Sequence, residues 1–112
     1  MHISDLCKEA HQVALDKGWY EPPKSFGEMI LMCHTELSEA VQDYRSLPDG
    51  VPINMTFHNY LKPPTGVPVE LADLVIRVAD LCEYFNIDLE AAIRMKMEYN
   101  KTRPNRHGGK KI

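Results

Sequence analysis

Glu36 and Glu39 stand three positions apart, and Glu70 and Asp73 repeat that step further along the chain. On a helix, a step of three brings two side chains onto one face, with their Cβ atoms ~5–6 Å apart. Exposed, such a carboxylate pair repels by only a few tenths of a kcal/mol. Partly buried without partners, each group costs several kcal/mol or takes up a proton. Gathering all four therefore requires cations, and oxygen-only donors suit a hard divalent ion, magnesium or manganese. The plainer alternative is a solvated helix face, which is what an isolated Glu-x-x-Glu usually is.

The surroundings of the second pair sharpen the question. Glu70, Asp73, Arg77 and Asp80 form one stripe, while Leu71, Leu74, Val75, Ile76, Val78, Leu81 and Cys82 fill the rest of that segment. A helix apolar nearly all round belongs in an interior, so its charged stripe must point into something. Arg77 can neutralise one of these charges but not four. Asp43 extends the stripe of Glu36 and Glu39.

Lys96, Asn100 and Arg103 follow an i, i+4, i+7 spacing and share one helical face. Cations emerging from an apolar face suit phosphate oxygens beside a metal. A solvated helix end whose cations complement the backbone dipole is the other reading. Trp19 sits in a loop, where it either stacks on a base or anchors the loop. His11, His34, His58 and His107 lack metal-ligand spacing. A di-iron bundle needs Glu-x-x-His, but the residues three after Glu36, Glu39 and Glu70 are Glu39, Gln42 and Asp73.

Four helices must position these groups. The first runs from about Ser4 to Lys17, with Leu6, Ala10, Val13 and Ala14 at helical spacing and Gly18 as its stop. Pro22 and Pro23 break the loop that follows. Ser25-Phe26-Gly27-Glu28 reads as a capping box for a second helix reaching about Arg45. Its apolar face is Phe26, Ile30, Cys33, Leu37, Val41 and Tyr44. Residues 46–68 lose periodicity and form a Pro-rich insertion with a short strand around Ile53–Tyr60. The third helix spans about Val69 to Phe85, and the fourth runs from an Asp88 cap to a stop before Pro104. The tail from Asn105 to Ile112 has no core role.

The 112 residues suit one domain, 1–112, with an all-α fold. A chain this short buries a limited share of its surface, so the nearly all-apolar third helix predicts at least a dimer. The net charge of −3 argues against a nucleic-acid polymer as partner. No stretch approaches a membrane span, and Met1 to Glu9 is too polar for a signal peptide. Cys7, Cys33 and Cys82 lie among apolar neighbours and read as reduced core thiols, which places the chain in the cytoplasm.

Glu36-Leu37-Ser38-Glu39 followed by Glu70-Leu71-Ala72-Asp73 resembles the paired signature of MazG-like nucleoside triphosphate pyrophosphohydrolases. The segment from Lys96 to Pro104 is similar to their phosphate-contacting stretch, and Arg106-His107-Gly108-Gly109-Lys110 to the tail of small members. The resemblance implies a four-helix fold whose bundle is completed in a homodimer or homotetramer. It implies Mg2+-dependent cleavage of a nucleoside triphosphate into monophosphate and pyrophosphate. Glu36, Glu39, Glu70 and Asp73 would hold the metal, with Glu36 or Glu39 activating water. Lys96, Asn100, Arg103 and Trp19 would meet substrate. The insertion between Glu39 and Glu70 is at or beyond the family's upper length. Narrower relatives of the reading are a dUTP, dCTP or phosphoribosyl-ATP pyrophosphohydrolase; a non-catalytic nucleotide-binding oligomer is the rival of another class.

Overall fold

The computed structural model describes residues 2–103, and within them four helices carry the architecture. They are α1 (Ile3–Asp16), α2 (Phe26–Arg45), α3 (Val67–Tyr84) and α4 (Leu89–Thr102). The class is mainly α, because the insertion also holds a small antiparallel hairpin, β1 (Phe57–Asn59) and β2 (Lys62–Thr65). The tail from Asn105 onwards lies outside the described residues.

Local chemistry sets most helix ends. Ser25 Oγ accepts from the Glu28 amide at 3.1 Å, and Glu28 Oε1 accepts from the Ser25 amide at 3.2 Å, so the capping box is complete. Asp88 accepts from the Ala91 amide at 3.0 Å to start α4. The left-handed Gly18 follows α1 directly, with φ +75°. α3 begins two residues earlier than its periodicity suggests. Pro68 falls in its first turn, where a missing N–H breaks no helical hydrogen bond.

α3 is the central element, packed against both α1 and α2, while α4 leans on α1. The core consists mostly of small side chains, Cys7 and Ala10 from α1, Cys33 from α2, Ala79 and Cys82 from α3, with Tyr20, Met29 and Leu81. Small residues let the helix backbones approach closely. Tyr20 stacks on Tyr84 at 4.3 Å between ring centres and closes one end of this layer. The three cysteines are free and buried, and burial pushes each thiol above its ordinary pKa. That is the behaviour of core thiols, not nucleophiles.

Two faces differ from the sequence expectation. α2 turns Met29, Cys33, Glu36 and Ala40 inward, so of its expected apolar face only Cys33 is buried. Leu37, Val41 and Tyr44 are exposed, Tyr44 by 61%. α3 buries Ala79 to Cys82 but leaves Leu71, Val75 and Ile76 exposed. The cause is shared: two helices cannot cover a third on every side. No large side chain among the described residues is fully buried. No described helix is long and apolar enough to cross a membrane.

The hairpin sits between α2 and α3. Its pairs are Phe57 with Thr65 and Asn59 with Lys62, with a one-residue slip between them. Pro63 and Pro64 lie in β2 and offer no N–H, which only a strand at a sheet edge tolerates. At the hairpin's exit, Gly66 adopts φ 121° and ψ 163°, and its amide donates to Asp43 Oδ2 at 3.2 Å. A Cβ there would stand 2.6 Å from the Met55 carbonyl oxygen, so only glycine fits.

Candidate metal centre

The inward face of α2 presents Glu36 to α3, and the first two turns of α3 present Glu70 and Asp73 in return. One carboxylate oxygen from each of the three lies within 4.8 Å of the others. Two oxygens bound to one magnesium at ~2.1 Å are at most ~4.2 Å apart. The three oxygens would have to draw slightly closer to share one ion. All three donors are oxygen, the chemistry that would suit a hard cation such as magnesium or manganese.

Glu36 is buried and accepts from Arg77 Nε, the one positive charge that reaches the cluster among the described residues. Burial raises the Asp73 pKa, the Glu36 charge adds to the rise, and Arg77 opposes it. Glu70 feels the crowding most. Burial, the adjacent Glu39 carboxylate, and the charges of Asp43 and Asp73 raise it to about 7. One arginine does not balance five acidic groups, and the excess negative charge is what a divalent cation would neutralise.

Glu39 belongs to this cluster through Glu70, although it is exposed and faces open solvent. All four residues read from the sequence as metal ligands are thus neighbours. Asp43, noted in the sequence only as part of a stripe, joins them and also holds the hairpin exit through Gly66.

The cations of α4 are placed differently. Lys96 and Asn100 are exposed and Arg103 is half-buried. Lys96 and Arg103 gather over the Tyr99 ring at 4.9 and 5.9 Å. No described residue forms an ion pair with Lys96 or Arg103. Trp19 is near the centre, but cations occupy positions over its ring. The Arg77 guanidinium lies 4.7 Å from the ring centre and the Lys24 ammonium 4.8 Å.

The partners of one stripe residue, Asp80, escaped sequence reasoning. Asp80 is buried and accepts from Tyr20 Oη at 2.8 Å and from His11 Nδ1 at 2.9 Å. The α3 stripe marked Asp80 as inward-facing, but nothing local links it to His11 or Tyr20. His34 is exposed, as a surface histidine.

Mainly helical architecture and a carboxylate cluster held between two helices define the chain's class at this level. Compared with protein-family models, with curated proteins and with solved structures, the chain finds no match in any of the three.

Proposed function

We propose that the chain is a magnesium-dependent nucleoside triphosphate pyrophosphohydrolase with a MazG-like fold. The observation that carries this reading is the convergence of Glu36, Glu70 and Asp73 from two helices, with Arg77 as their one counter-ion among the described residues. A helix surface evolved only for solvation has no reason to hold Glu36 buried beside two more carboxylates.

Glu36, Glu70 and Asp73 would hold the ion, and the Arg77 hydrogen bond orients Glu36. Magnesium supplies neutralisation of the polyphosphate and a lowered pKa for bound water. Glu39 is exposed beside Glu70, so it accepts the proton of the attacking water, while Glu36 is occupied by Arg77. The bond between the α-phosphorus and its bridging oxygen breaks, and pyrophosphate leaves with that electron pair. Fixed cations would stabilise the leaving charge.

Lys96, Asn100 and Arg103 can serve this role if chains associate, which extends the proposal to a homo-oligomer working in the cytoplasm. Support for association comes from Leu37, Val41, Tyr44, Leu71, Val75 and Ile76, all exposed on α2 and α3. Covering each such side chain stabilises an assembly by ~1.5–3 kcal/mol at most. The experiment is pyrophosphate release from a panel of nucleoside triphosphates, with magnesium and with chelator. Magnesium-dependent release is expected, and its absence with every nucleotide would sink the proposal.

A further inference from the structure

Beside the carboxylate cluster, between α1 and α3, lies a cavity of about 300 Å3. Ala10, Val13 and Ile76 give it apolar walls, and Trp19, Lys17, Arg77 and Asp80 add polar and aromatic lining. Asp73 lines it too, so the cavity opens onto the metal centre. Its volume is at the lower end for small-ligand pockets, enough for a nucleobase with part of its sugar.

Asp80 is the chemically decisive lining group. Its residue surface is 6% exposed, and both of its hydrogen bonds, from Tyr20 Oη and His11 Nδ1, end on Oδ1. Oδ2 takes no hydrogen bond from any described residue. Yet no fully buried side-chain oxygen or nitrogen among those residues lacks a partner, so Oδ2 must border open space. Asp80 borders two hollows. The other, beside Met29 and Met32, has about 10 Å3, room for a water at most. Of the two, only the larger cavity has room for a ligand beside Asp80.

A carboxylate oxygen is an acceptor only. Tyr20 and His11 both bond Oδ1, which leaves Oδ2 as the oxygen free to accept from a ligand. The geometry points to a base pocket in which Asp80 Oδ2 accepts a hydrogen bond from the exocyclic amine of a nucleobase, selecting amino bases over their oxo counterparts. This rests on the nucleotide reading above and names its substrate class. Cytosine and adenine place an amine where uracil and hypoxanthine place a carbonyl oxygen. An oxo base would set oxygen against oxygen and leave the carboxylate unpaired. Sites built around a hydrogen bond reject the analogue lacking it far more strongly than apolar pockets reject a change of size.

Trp19 is the only tryptophan, so its fluorescence reports occupancy of the cavity without requiring turnover. The full chain, with magnesium, is titrated with dCMP and dUMP, and with dAMP and dIMP. The amino member of each pair should bind at least ~10-fold more tightly. In Asp80→Asn, an amide oxygen that keeps accepting from Tyr20 and His11 puts the NH2 group where Oδ2 stood. Donor then replaces acceptor, and the preference within each pair should reverse. Val13→Phe, at an exposed rim position, fills the cavity and should weaken both members alike. Equal affinities in the wild type, an unchanged ratio in a folded Asp80→Asn, or undiminished binding in Val13→Phe would each overturn the assignment. Absence of quenching by any monophosphate would overturn it as well. Pyrophosphate release from dCTP and dUTP is measured separately: its failure removes the hydrolase reading, while the monophosphate ratios still decide the pocket.

Discussion

Arg77 Nε donates to the buried carboxylate of Glu36, joining α3 to α2 at the centre of the acidic cluster. The same guanidinium lies over Trp19, so one side chain ties the carboxylate cluster to the wall of the neighbouring cavity. In the absence of metal, it is the cluster's internal cation. Arg77→Met keeps the apolar stem and removes the charge. It should destabilise the metal-free chain by ~3 kcal/mol, the scale for breaking a buried pair. Magnesium at ~100 times its dissociation constant should stabilise the wild type by ~2.7 kcal/mol. The variant should gain more, since the ion then takes over the neutralisation. Thermal melts with magnesium and with chelator read both effects; equal gains would show that Arg77 and the ion do not share a role.

Glu39→Ala and Asp73→Ala should each abolish pyrophosphate release while leaving the helical circular-dichroism spectrum intact. Neither side chain belongs to the core cluster, so the helices have no need of it. Near-normal turnover in either variant would show that the site has been assigned to the wrong carboxylates.

The metal-free chain should lose stability as pH rises through neutrality. Glu70 is raised from 4.5 to about 7, first by burial and then by its acidic neighbours. The folded chain therefore holds this proton more tightly than the unfolded one. The contribution is full below the unfolded value and disappears as pH climbs through the folded one. Melting temperature in chelator should fall between about pH 5 and 8. Magnesium displaces the proton and should flatten that fall. A chelated protein that melts higher at pH 8 than at pH 5 would contradict the crowding of Glu70.

Gly66→Ala should cost at least ~2 kcal/mol, through a backbone conformation nearly closed to other residues and a clash with the Met55 carbonyl. Because Gly66 caps α3 just ahead of Glu70 and is bonded to Asp43, magnesium affinity should weaken as well. Urea denaturation and metal titration measure the two separately. Unchanged magnesium affinity in a folded variant would mean that the hairpin exit and the metal centre are independent.

Light scattering at micromolar concentration should find at least a dimer. Val41→Asp, on the exposed apolar face of α2, should shift it toward monomer without unfolding the protomer. A wild-type monomer would remove the oligomer from the proposal.

Residue types and their spacing were enough to mark out the helices and the four carboxylates. Capping by Ser25, Glu28 and Asp88 is local chemistry, completed within three or four residues, and so it is legible in the chain. The pairs Glu36/Glu39 and Glu70/Asp73 are legible for the same reason, since helical periodicity alone puts each pair on one face. Periodicity gives a residue's angle around its own helix and nothing about how one helix is rotated against another. That rotation is chosen by the packing of Cys7, Ala10, Cys33 and Ala79, whose small side chains let α1, α2 and α3 meet. It turned Glu36 inward and Leu37 outward, against the apolar pattern of α2. It joined Arg77 to Glu36 across 41 positions, and Asp80 to His11 across 69 and to Tyr20 across 60. It also left Lys96 and Arg103 gathered over Tyr99, without an ion pair among the described residues. Contacts made over such separations depend on the joint burial of several elements, and no single segment contains the information that selects them.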